Sequence, residues 1–428
     1  MEKRSVQVTI TPRSEIAQEA VIELTHEELL PHFERAYEQY RPKVELKGFR
    51  KGKVPLPMIK KLYGEAIENE ALDTVASDTF REAMKEKKIL PLGQPSMTDM
   101  DFKRGEHFKF TITYEIRPTI SLKGYKGIAV DRPVHQVTDE EVDGEVMSIR
   151  RANGTLEPAG SASDTDHAVT ADAQELDENG TPLVGKKTAG ARFYLWDDTL
   201  AREIRDVLLN TKQGDTTTVR FNSQHGDHTH PVHLSLTVTA VEKMIMPPLD
   251  DALVAKVTGG KVEKAEEFLN NLRTDIQKYW DDQSNRALEN NIVAALVRAH
   301  EFPVPESVVK GFLESFVEEI KGRSKDRQLP RNFDVDKFSE ENRPLAEFQA
   351  KWMLLKERIA EQEHIEITDD DLVARAAAES ATMGLPQERI LELYRSSTGA
   401  QDRLLTDKLM AFLRDNAKIT ETPLAAGR

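Results

Sequence analysis

Residues 48–55, GFRKGKVP, set a phenylalanine and an arginine between two glycines, with lysines on both sides. From Lys43 to Lys61 the bases are Lys43, Lys47, Arg50, Lys51, Lys53, Lys60 and Lys61 against the acid Glu45, a local charge of +6. Such a cluster seeks phosphate. Gly48 and Gly52 let the backbone turn sharply, and Phe49 adds an apolar contact flanked by guanidinium and ammonium groups. Two readings stay open: a solvated basic turn, and a docking element for an RNA–protein surface. A nucleotide phosphate loop is excluded. The glycines are one residue too close for G-x-x-x-x-G-K-[ST], and Val54 stands where the magnesium-holding hydroxyl belongs.

A second cluster, HGDHTHPVH, carries His225, Asp227, His228, His230 and His233, residue types that bind metals. No helix fixes two of them on one face, and His233 opens the alternation of HLSLTVTAV. Turn polarity is the better reading, and no metal or other cofactor is expected. The acidic pairs Asp250–Asp251 and Asp369–Asp371 read as helix-start charges, not acid/base couples. The chain has no cysteine, which rules out disulfides and thiolate chemistry and fits a reducing compartment.

These groups need elements to hold them. At 428 residues the chain exceeds one compact core. Its net charge of -15 means that any contact with nucleic acid must be local. The start, MEKRSVQVTI, carries no apolar run, and no uncharged stretch approaches the ~20 residues that span a bilayer, so a cytoplasmic protein without membrane contact is expected. SVQVTITP and HFKFTITYEIRP alternate as strands, the latter with Phe108, Phe110, Ile112, Tyr114 and Ile116 on one face. Thr25 and Glu28 form a capping box before Leu29, Phe33, Ala36 and Tyr40. A second helical stretch opens at Pro55 and Pro57, with Gly64 expected to interrupt it. The basic stretch is therefore a helix-to-helix loop on an α+β domain of residues 1–118. Residues 119–152 read as a connector, 153–245 as a small β-rich domain with a helix near LAREIRD, and 246–428 as an all-α domain of long helices. Two apolar stripes there, Val308/Phe312/Phe316/Ile320 and Phe348/Trp352/Leu355/Ile359, suit helix packing or contact with unfolded chains.

GFRKGKVP in a helix-to-helix loop resembles the ribosome-binding signature of the trigger factor family. The likeness continues through REAMKEKKILPLGQPSM, GEHFKFTITYEIRPTISLKGYKGIAV and VTDEEVDGEVMSIRRANGTLEP, and more weakly through EFPVPESVV. It implies a multidomain α+β chaperone: an α+β ribosome-binding domain, a prolyl isomerase domain of the FK506-binding type, and a helical domain whose two arms cradle unfolded chains. The implied ribosome contacts are Gly48, Phe49, Arg50, Lys51, Gly52 and Lys53. The implied partners are the large ribosomal subunit near the exit tunnel and nascent or unfolded polypeptides, with a homodimer when free. A prolyl pocket is implied at Leu183, Phe193, Ile204 and Phe221, where two positions that are aromatic in the family hold Leu183 and Ile204. VTADAQE likewise places Ala173 and Glu175 where the family has an aromatic and a glycine, so isomerase activity stays open. A free cytoplasmic prolyl isomerase is the alternative. It would not need the basic loop.

Overall fold

The computed structural model describes residues 6–225 and 228–424, and within this range the side chains of 223–229 are not described. The chain divides into two compact units, Met1–Pro133 with Asn285–Thr422, and Val134–Ser284 with Pro423–Arg428.

The first unit starts with β1 (Gln7–Pro12) and β2 (Ala17–Thr25), followed by α1 (His26–Tyr40), α2 (Leu56–Glu86), β3 (Leu92–Lys103) and β4 (His107–Glu115). The four strands form one antiparallel sheet in the order β1-β2-β4-β3. As the alternation of β4 requires, Phe108, Phe110, Ile112 and Tyr114 are buried, and they pack with Leu29 and Phe33 of α1 and with Leu72, Val75 and Phe80 of α2. Glu28 closes the capping box of α1, accepting from the Thr25 backbone at 2.8 Å.

Gly64 does not interrupt α2, which runs unbroken past it. Its bare face admits a polar cluster. A Cβ at Gly64 would lie 2.9 Å from Arg104 Nη2 and 3.5 Å from the Tyr37 hydroxyl. Arg104 Nε donates to Glu68 at 2.6 Å, and the Tyr37 hydroxyl donates to the same carboxylate. Burial alone would push the Glu68 carboxyl up; the bonds from Arg104 and Tyr37 outweigh it and hold the group below its ordinary value.

The rest of the first unit is mostly helical: β5 (Ala129–Val134), whose last residue falls in the second unit, then the later part of a long helix, and the elements that follow it. The second unit holds α3 (Asp139–Ala152), β6 (Thr155–Pro158), β7 (His167–Leu176), β8 (Pro182–Tyr194), α4 (Arg202–Leu208), β9 (Thr216–His225), β10 (His228–Ile245) and α5 (Asp251–Thr258). Its sheet runs β6-β10-β7-β8, with β9 also paired to β10. The long helix α6 (Ala265–Ala299) continues into the first unit, where α7 (Glu306–Arg323), α8 (Val335–Glu363), α9 (Asp369–Met383), α10 (Gln387–Ser396) and α11 (Thr398–Asp415) follow. Residues from 246 onward are not all helical, because β11 (Lys418–Pro423) pairs with β5 as a two-stranded sheet. Leu288, Ile292 and Leu296 of α6 join Val130 of β5, Ile359 of α8, and Leu409, Met410 and Leu413 of α11 in one core. Leu355 and Ile359 are fully buried and Phe348 and Trp352 partly so. On α7 the most buried line is Val309, Leu313 and Val317, with Val308, Phe312 and Phe316 flanking it. The α8 stripe is thus a packing surface, while on α7 the expected stripe of Val308, Phe312, Phe316 and Ile320 is half-buried and the line of deepest burial lies one residue along from it. Among the described residues no helix is long and apolar enough to cross a membrane.

The helix-start carboxylates do cap. Asp250 accepts from Leu253 N at 2.8 Å. Asp371 of α9 is held down to about 2 by Lys408 and by the Thr368 backbone and hydroxyl, and Glu141 of α3 is held down to about 2 by the Thr138 backbone N–H and by His135. Both carboxyls are depressed on folding, so their stabilisation is complete above the ordinary carboxyl range and is lost as pH falls from about 4.5 towards about 2. We expect the melting temperature to drop through that window. In the double variant Glu141→Gln/Asp371→Asn, followed by circular dichroism, melting should start lower at neutral pH and fall less steeply with acid.

Candidate functional site

Residues 44–55 leave α1 through a single 3-10 turn at Arg41–Lys43 and return into α2. The stem is apolar and fixed: Val44 and Val54 are buried in the core of the first unit, and Leu46 and Leu56 pack against it. Between them the chain makes two successive turns. Phe49 N donates to Leu46 O at 3.0 Å and Lys53 N to Arg50 O at 2.9 Å. Each turn has a glycine in third place, Gly48 with φ +97° and Gly52 with φ +75°, the conformation that a type II turn demands.

The two turns carry the intervening residues away from the stem, so Phe49 is 39% exposed and Arg50, Lys51 and Lys53 are exposed. Phe49 is thus an exposed aromatic carried on a buried stem. Lys51 pairs with Glu45 at 2.7 Å, and Lys60 with Glu34 at 3.4 Å. Among the described residues Lys47, Arg50, Lys53 and Lys61 have no carboxylate partner, which leaves the tip cationic. Glu45 as the counter-ion of Lys51 was not foreseen; its only signal was being the single acid in the stretch.

Phe193, Ile204 and Phe221 come together in the second unit. They line a concavity of about 470 Å³ between the end of β8, α4 and β9, with Arg192, Tyr194 and Leu200 beside them. Leu183 lies elsewhere on β8, 40% exposed, and does not line it. Tyr194 and Trp196 lie with ring centroids 5.0 Å apart and their planes tilted by 39°, and the Arg192 guanidinium lies 5.9 Å from the Tyr194 ring. Sequence reading missed Tyr194 as part of this lining, although it follows Phe193 directly.

Of the histidine cluster, Gly226 and Asp227 lie outside the described residues, and so do the side chains of His225 and His228. The ring of His233 meets the carbonyl of Asp177 at 3.0 Å. Among the described residues no group of three or more His, Asp or Glu could hold a metal ion.

The pattern of the family described as "Bacterial trigger factor protein (TF)" matches residues 6–149, and that of its C-terminus matches 264–415. The trigger factor of Salinibacter ruber is 30% identical over 96% of this chain and 94% of its own length. That of Chlorobaculum tepidum is 31% identical over 98% of this chain and all of its own. The chain belongs to the trigger factor family. A solved structure described as "Promiscuous Substrate Recognition in Folding and Assembly Activities of the Trigger Factor Chaperone" has the same fold, with a TM-score of 0.51 over 96% of this chain and 99% of that one, at 18% identity. Members of the trigger factor family are ribosome-associated chaperones that act in protein folding, binding the ribosome and unfolded polypeptides, and this chain is one of them.

Proposed function

We propose that the loop of residues 47–53 docks this chaperone on the large ribosomal subunit near the exit tunnel, in the cytoplasm, where nascent chains emerge. The observation that carries the proposal is the exposed, cationic, aromatic-tipped loop on a buried stem. Phe49 supplies the apolar contact. Arg50, Lys47 and Lys53 meet phosphate, and Lys51 joins them when it leaves Glu45. Because the whole chain carries -15, it is repelled by RNA in general, and the cationic loop supplies a local attraction.

Sedimentation with purified ribosomes across a salt series tests it. Two to four phosphate contacts give a log–log slope of roughly −1.5 to −3.5. Binding that ignores salt would overturn the assignment. Turn geometry has its own test. Gly48→Val changes no charge but forces a β-branched residue to φ +97°, a cost of roughly 1–3 kcal/mol. We expect it to weaken pelleting about tenfold or more and to lower the melting temperature by about a few degrees, with the far-UV spectrum of the folded chain unchanged.

The concavity at Phe193, Ile204 and Phe221 supports a second activity, binding of prolyl segments. Isomerisation needs only an apolar surface that eases amide twisting past a barrier of ~18–20 kcal/mol. A protease-coupled assay on an X-Pro peptide should show slow turnover that Phe221→Ala abolishes. A rate equal to buffer would leave the pocket a binding surface. A homodimer off the ribosome is a further proposal, tested by sedimentation equilibrium.

A further inference from the structure

Helix α7 begins badly by its own sequence. Its N-cap is Pro305, which brings no side-chain acceptor to the first amides, and the preceding EFPVP offers no Ser, Thr, Asp or Asn. The acceptor comes from far away in the chain. Glu115, the last residue of β4, accepts through Oε1 from Glu306 N at 2.9 Å and through Oε2 from Ser307 N at 2.8 Å. Its backbone is held on both sides, paired with Ala17 of β2 and Leu92 of β3. Gly93, with φ +63°, lets the strand approach: a Cβ there would lie 2.2 Å from the Cβ of Ser307. From the other side Arg343 of α8 grips Glu306 with two bonds, at 3.0 and 2.5 Å.

A forked acceptor on a rigid strand fixes both the direction and the roll of the helix it caps, which a local N-cap would not do. We infer that Glu115 is a positioning residue: it sets the direction in which the α7–α8 pair leaves the sheet of the docking domain. The loop and this junction lie on the same small α+β body. A chaperone docked through residues 47–53, the reading on which the functional meaning of this junction rests, would then hold its arm at a defined angle to the ribosome. Nothing in local sequence hints at this, because donors and acceptor are 191 and 192 residues apart.

The absence of cysteine makes the test clean. Nitroxides on Glu82→Cys of α2 and Glu314→Cys of α7, both exposed, report the distance between the docking domain and the arm in the full chain. Pulsed dipolar spectroscopy should give one narrow distribution. Glu115→Ala should at least double its width, and isosteric Glu115→Gln, which carries the test should alanine unfold the chain, should give an intermediate width. The deciding variant is Glu115→Ala/Pro305→Asp, which returns a local cap to α7. We expect it to restore the melting temperature and leave the distribution broad. A narrow distribution in Glu115→Ala and Glu115→Gln, or one narrowed again by Pro305→Asp, would overturn the inference and leave Glu115 a cap alone. Ribosome pelleting of Glu115→Ala should match the parent. Failure of the parent itself to pellet would strike the docking proposal and not the distances.

Discussion

Alanine at Phe49, Arg50 and Lys51 together is expected to abolish co-sedimentation with ribosomes while circular dichroism and the melting temperature stay those of the parent. The loop tip touches no core: Val44, Val54, Leu46 and Leu56 anchor it, and all four remain. An aromatic anchor at an interface carries about 2 kcal/mol or more, a factor of roughly thirty. Removing two bases takes about 1.5 off the log–log salt slope as well. The product exceeds a hundredfold at moderate salt. The single variants should rank with Phe49→Ala and Arg50→Ala well above Lys51→Ala, since the ammonium of Lys51 is shared with Glu45 at 2.7 Å. Equal pelleting of triple variant and parent at low salt would end the case for this loop.

Ile292→Ala should cost the helical body about 2–5 kcal/mol. Ile292 is fully buried where α6 meets β5, α8 and α11, so the cavity opens at a junction of four segments and cannot collapse along one helix. Trp352, packed against the same core, is the tryptophan of the first unit; Trp196 and Trp280 belong to the second. Fluorescence of a Trp196→Phe/Trp280→Phe background, in which Trp352 alone reports, should therefore show the urea midpoint of this unit fall. In a Trp280→Phe/Trp352→Phe background, in which Trp196 reports on the β-rich sheet, Ile292→Ala should leave the midpoint where it was. An unchanged midpoint in the first background would mean that the four segments do not share one core.

Much of this was readable one residue at a time. The alternation of HFKFTITYE names the buried face of β4, Thr25 and Glu28 mark the start of α1, and the glycines of GFRKGKVP foretell two turns whose φ values only glycine tolerates at little cost. These are local rules, and local rules survive folding. What escaped depends on partners far along the chain. Gly64 looks like a helix breaker until Arg104 occupies the space a Cβ would take. β8, with Gly185 and Gly190 and three bases in its span, shows no alternation and exists because β7 pairs with it. β11 follows a long helical run and becomes a strand because β5 is there to receive it. The prolyl surface was half legible: Phe193, Ile204 and Phe221 converge and Leu183 does not, since Leu183 sits at the opposite end of β8 from Phe193, ten residues along the strand.

The first unit is assembled from both ends of the chain. Val130, with Leu122, Tyr125 and Ile128 packed around it, finds its cover only on α6, α8 and α11, and the last of these, Leu409 to Leu413, leaves the ribosome roughly 280 residues later. At ~5–20 residues per second that is a wait of about 15–55 s with greasy side chains bare. A newborn copy of this protein is for that interval just the kind of substrate its finished siblings hold, and its abundance should depend on how many of them are already at work.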